Sequence, residues 1–77
     1  MKAIVVEDSR LAREGLVKML QDYSEIDIVG AADHPSTALD IITEHQPDII
    51  FLDVHMPGES GFDLLEKLTY SPKVVFT

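Results

Sequence analysis

The chain has 77 residues, enough for one domain at most, and a domain of this size buries only about 60% of the surface its unfolded form exposes, so its stability is marginal. Apolar residues make up 45% and charged residues 26%, with four glycines and four prolines, a composition that excludes the disordered and fibrous classes. Cysteine is absent, which excludes disulfides, thiolate metal sites and a cysteine nucleophile and fits a reducing, cytoplasmic setting, while fourteen acids against six bases give a net charge of -8 that repels phosphate backbones and anionic lipid.

Ala3-Ile4-Val5-Val6 is a β-branched run that stops at Glu7-Asp8-Ser9, the pattern of a short strand buried on both faces. Ser9 is an N-cap residue, and Leu11, Ala12, Leu16, Met19, Leu20 and Tyr23 recur at three- and four-residue spacings, predicting an amphipathic helix from about Arg10 to Asp22 with its leucines and Met19 in the core. Ile26, Ile28, Val29 and Gly30-Ala31-Ala32 read as a second strand suited to a sheet edge. Asp33-His34-Pro35 supplies a cap and a first-turn proline for a second helix through Ala38, Leu39, Ile41 and Ile42, ended near His45 by Pro47. Ile49-Ile50-Phe51-Leu52 has the profile of a central parallel strand and stops at Asp53. Pro57, Gly58 and Gly61 are expected in a loop, Phe62, Leu64, Leu65 and Leu68 mark a third helix, and Val74-Val75-Phe76 begins a fourth strand that ends at Thr77. No apolar run approaches the ~20 residues that span a bilayer, so the protein is expected to be neither exported nor embedded.

Strand and helix alternate with short connections, which predicts an α/β doubly wound parallel sheet in the order β-α-β-α-β-α-β, with no domain boundary inside residues 1–77. A fourth strand with no helix after it leaves an apolar edge open to another chain, and the chain looks truncated. In such sheets reactive groups collect at the carboxyl ends of the strands. The first strand delivers Glu7 and Asp8 there, the third delivers Asp53 and the fourth delivers Thr77. Carboxylates brought this close repel one another and must raise a pKa, recruit a cation or destabilise the fold. Magnesium, which takes one or two carboxylates, keeps several waters and leaves room for phosphate oxygens, suits a small acidic pocket. With a dication beside it, Asp53 could attack phosphorus and become an aspartyl phosphate. Pro57 restricts the following loop and could hold the backbone carbonyl of His55 toward the metal.

The plainer alternatives are that Glu7 and Asp8 serve only as acids at a helix N-terminus, that Asp53 is a turn residue, and that Thr77 is an ordinary strand threonine. His34, His45 and His55 lack metal-ligand spacing. A phosphohydrolase with an aspartate nucleophile would need a second aspartate two residues on, where His55 stands, and a nucleotide-binding role lacks a glycine-rich turn after the first strand. A module that only mediates association remains as a third reading.

The acidic pair after the first strand, Asp53 followed by Val54-His55-Met56-Pro57-Gly58-Glu59-Ser60-Gly61, and Thr77 at the end of the fourth strand together resemble the receiver domain of bacterial two-component response regulators. The stretches Asp8-Ser9-Arg10-Leu11-Ala12-Arg13-Glu14 and Ile28-Val29-Gly30-Ala31-Ala32 are further similar to receivers joined to LytTR-type DNA-binding output domains. The resemblance implies a flavodoxin-like fold and a histidine kinase partner that phosphorylates Asp53. It also implies magnesium held by Glu7, Asp8, Asp53 and the carbonyl of His55, with Thr77 as the hydroxyl that turns toward the phosphoryl oxygens. On this likeness residues 1–77 are the N-terminal part of a receiver, lacking the family's fourth helix, its last strand with a lysine, and its last helix. Slow or absent self-phosphorylation and homo-oligomerisation through the exposed fourth strand are then expected, with transcription regulated by an output domain outside this segment.

Overall fold

Strand β1 (Lys2–Val6) is buried along its whole apolar run, as a strand without alternation requires. It lies in a four-stranded sheet in the order β2-β1-β3-β4, where β2 is Asp27–Ala32, β3 is Ile49–Leu52 and β4 is Lys73–Phe76. All three pairings are parallel. The computed structural model describes residues 1–53 and 61–77, and the crossovers are helices α1 (Arg10–Leu20), α2 (Pro35–His45) and α3 (Gly61–Glu66). The chain runs outward from β1 to β2 and then passes back over β1 to β3, so the direction of winding reverses between the two central strands. Such a reversal is where open parallel sheets place their ligand sites, at the carboxyl ends of the strands.

The pleat divides the core in two. Ile4, Val6, Ile50 and Leu52 face α2 and α3 and pack with Ala38, Ile42 and Leu64, whereas Ala3, Val5 and Phe51 face α1 and pack with Leu20, Leu16 and Val17. Gly30 in β2 lets α2 approach, since a Cβ there would lie 2.8 Å from Cγ2 of Ile41. The expected order of elements, the edge position of β2 and the central position of β3 all match the structure.

Several local expectations do not. Leu11 is 83% exposed and Met19 54% exposed, so neither is core. Only a narrow strip of a single helix can lie against a sheet, and on α1 that strip runs through Arg13, Leu16, Val17 and Leu20 rather than across the full apolar spread of the sequence. The helix also stops at Leu20, capped by the Gln21 N–H on the Val17 carbonyl. At α2 the capping side chain is His34, which accepts from the Ser36 N–H, with Pro35 in the first turn. Gln46 closes α2 in the left-handed region at φ 46° and hands the chain to Pro47. Gly61 begins α3 instead of belonging to the preceding loop. Strand β4 is bonded to β3 and leaves Val75 and Phe76 substantially exposed.

At the amino end of the sheet Asp48 fastens three strands. Its side chain accepts from the Lys2 N–H at 2.8 Å, its own N–H donates to the Lys2 carbonyl at 2.8 Å, and its carbonyl accepts from the Lys73 N–H at 2.9 Å. Beside it, the Tyr70 hydroxyl donates to the Pro47 carbonyl at 2.8 Å.

Candidate metal and phosphoacceptor site

The last paired row of the sheet is Ala32, Val6, Leu52 and Phe76. The next residue of each strand forms the rim: the N–H of Glu7 donates to the Ala32 carbonyl, that of Asp53 to Val6 and that of Thr77 to Leu52, at 2.9 to 3.0 Å. Residues that separate stretches of sequence bring to strand ends therefore become neighbours by register alone. Glu7 and Asp53 lie side by side over the two central strands, at the reversal of winding, and Asp8 follows Glu7 in the connection to α1.

One carboxylate oxygen from each of Glu7, Asp8 and Asp53 lies within 4.8 Å of the others. Asp53 is only 8% exposed and is the buried charged side chain among the described residues. Glu7 is half-buried and Asp8 is exposed. The first turn of α1 contains no acid, because Glu7 and Asp8 precede its N-cap, Ser9. The acidic pair therefore lies ahead of the helix rather than within its first turn. The Glu7 carboxylate accepts from the Ser9 N–H at 3.2 Å, and the Glu7 carbonyl accepts from the Arg13 guanidinium at 3.0 Å.

Crowding is visible in the titration of Glu7. Burial pushes its pKa above the ordinary 4.5, a hydrogen bond to Asp53 and the charges of Asp53 and Asp8 push the same way, and the Ser9 N–H opposes them. A buried carboxylate held against two others is costly unless a proton or a cation joins the group. The donor set is all hard oxygen, as a magnesium site requires. Oxygens on an octahedral magnesium lie at about 2.1 Å from the ion, hence about 3 to 4.2 Å from one another, so small side-chain movements would complete the fit.

Thr77 stands on the same rim one strand beyond Asp53, exposed. His55 and Pro57 lie outside the described residues. Asp33 follows β2 at the outer edge of the sheet and does not join the three clustered acids. Sequence reasoning missed Arg13, which in one dimension is simply another cation on a polar helix.

The profile of the response regulator receiver domain matches residues 3–77. The chain belongs to the receiver domain family. Among curated proteins this receiver is 38% identical over 76 residues to a sensory transduction protein LytT of Enterococcus faecalis, covering 99% of the chain and 31% of that protein. It superposes with a TM-score of 0.86 and 32% identity on the signal receiver domain of the response regulator NarL from Mycobacterium tuberculosis, covering 97% of the chain and 63% of that structure. The response regulatory domain of protein mrkE from Klebsiella pneumoniae gives a TM-score of 0.84 at 33% identity, with 99% of the chain and 65% of that structure covered. The receiver segment thus spans about a third of the curated relatives it matches. Among its described residues no helix is long and apolar enough to cross a membrane.

Proposed function

We propose that Asp53 is the phosphoacceptor of this receiver and that Glu7, Asp8 and Asp53, with the backbone carbonyl of His55, hold a magnesium ion. The observation that carries the reading is a nearly buried aspartate at the switch point of a parallel sheet, with two further carboxylates against it. Family membership supports the same chemistry. An oxygen of Asp53 attacks the phosphorus of a phosphohistidine on a partner kinase, the P–N bond breaks, and the departing imidazole takes up a proton. Bound magnesium supplies the positive charge that lets an anionic nucleophile meet an anionic phosphoryl group. Among the described residues Thr77 is the hydroxyl nearest in register to Asp53, and donation to a phosphoryl oxygen would draw the end of β4 with it, favouring one of two surface arrangements read by an output domain, of LytTR type by the resemblance in sequence.

Incubation with a small-molecule phosphodonor and magnesium, read by intact mass, tests this: the wild type gains one phosphoryl group, slowly, and Asp53→Asn gains none. A wild type left unmodified both by the phosphodonor and by a phosphorylated histidine kinase would favour a module that acts only by association. The observation in favour of association is β4, bonded on its β3 side with Val75 and Phe76 exposed. Symmetric pairing of two such edges would give a homo-oligomer that dissociates on dilution and is lost in Val75→Lys, as sedimentation velocity would record.

A further inference from the structure

We infer that Arg13 is a positioning residue for the cation site, holding the peptide that joins Glu7 to Asp8 so that both carboxylates reach Asp53; the inference rests on the reading of these acids as magnesium ligands. The two arginines of α1 behave differently. Arg10 is 83% exposed along its side chain and pairs with Glu14, one turn on, at 3.1 Å. Such a pair on an open helix face contributes little. Arg13 is half-buried and reaches back past the N-terminus of its own helix to donate to the Glu7 carbonyl at 3.0 Å.

That carbonyl belongs to the peptide unit between the two acids. Its orientation sets where Glu7 ends and where Asp8 begins. The segment is anchored before it by the Glu7 N–H on Ala32, and after it by Ser9, whose N–H donates to the Glu7 carboxylate and whose carbonyl accepts the Arg13 N–H at 2.8 Å. Arg13 therefore ties α1 to the end of β1 through its side chain, while its backbone closes the first turn of the helix on Ser9. A charge-assisted hydrogen bond to a carbonyl is stronger than a neutral one and fixes the peptide plane. Asp8 is exposed and its ligand oxygen must still meet those of Glu7 and Asp53 within 4.8 Å, so the plane before it decides whether the three converge.

Positioning and charge predict opposite signs. A guanidinium next to a dication repels it, so deleting the charge alone would tighten magnesium binding. Deleting the hydrogen bond that orients the ligands would loosen it, and outer partners of metal ligands typically matter by about 10- to 100-fold in affinity. Calorimetric titration of the chain with magnesium chloride, alongside thermal melts in metal-free buffer, reads both. For Arg13→Met the expected result is a dissociation constant raised about tenfold with the metal-free fold retained, and Arg13→Lys, which keeps the charge and one donor, falls between it and the wild type. Unchanged or tighter binding by Arg13→Met would overturn the assignment, as would both variants losing the metal-free fold, which would make Arg13 merely structural. If the wild type itself takes up no magnesium, the reading of the acids as ligands fails, an outcome separate from wild-type binding that Arg13→Met leaves intact.

Discussion

Asp48 and Asp53 bracket the same four-residue strand and live in opposite circumstances. At the amino end of β3, Asp48 is tied in by hydrogen bonds: the Lys2 N–H donates to its side chain, its own N–H donates to the Lys2 carbonyl, and the Lys73 N–H donates to its carbonyl. At the carboxyl end, Asp53 is nearly buried with Glu7 and Asp8 against it. One end of the sheet uses a carboxylate to close hydrogen bonds between strands, and the other brings three carboxylates together, an arrangement that a proton or a cation would stabilise. The difference teaches that an aspartate at a strand end is read from its neighbours across the sheet, since the residue type is the same in both and each flanks the same strand.

If that contrast is right, the two aspartates respond to substitution with opposite signs. Asp48→Ala removes a bond that spans β1 and β3 and should destabilise the fold by about 1 to 2 kcal/mol, a fall of several degrees in melting temperature for a chain this short, with or without magnesium. It should also lower the titration of Tyr70, whose pKa is raised above 10.0 first by burial and then by the Asp48 charge. A tyrosine titration unmoved by Asp48→Ala would break the pairing of these groups. Asp53→Asn is nearly isosteric and removes one member of a repelling cluster, so in metal-free buffer it should raise stability by roughly 0.5 to 1 kcal/mol. Magnesium should then stabilise the wild type by mass action and leave Asp53→Asn nearly flat. A metal-free melt lowered by Asp53→Asn would mean that repulsion from Glu7 and Asp8 is not what dominates at Asp53.

Much of this contrast can be read in the sequence, and the reasons are local. The runs Ala3 to Val6 and Ile49 to Leu52 are apolar without alternation, which only a strand covered on both faces tolerates, and each ends in acids. Parallel pairing in register then carries Glu7 beside Asp53. Other features depend on direction, which a linear pattern lacks. The azimuth of α1 is set by its cap and by contact with Ala3, Val5 and Phe51, so Leu11 and Met19 carry the right spacing and still point away. The choice of His34 over Asp33 as cap turns on which residue takes the extended backbone before Pro35. Asp48 after Pro47 reads as an ordinary loop pair, and its links to Lys2 and Lys73 exist only once the strands are side by side.

The finest test of the contrast is the dependence of stability on pH without metal. The Glu7 carboxyl titrates above 4.5 in the folded chain, so between that value and its folded pKa the native state binds a proton that the unfolded state has released. Its contribution to stability is therefore fully present below about 4.5 and disappears as pH rises through the folded value. A carboxylate satisfied by donors does the reverse. Denaturant titrations across this window should find Glu7→Gln gaining on the wild type as pH increases, because the amide keeps the shape of the side chain and never acquires the charge. With saturating magnesium the order should invert at neutral pH, since the wild type then gains the binding energy of an ion that Glu7→Gln holds with one carboxylate fewer. Parallel pH profiles for the two proteins without metal would show that neither burial nor the neighbouring acids raise the Glu7 pKa, and would leave the rim with three independent acids in place of one site.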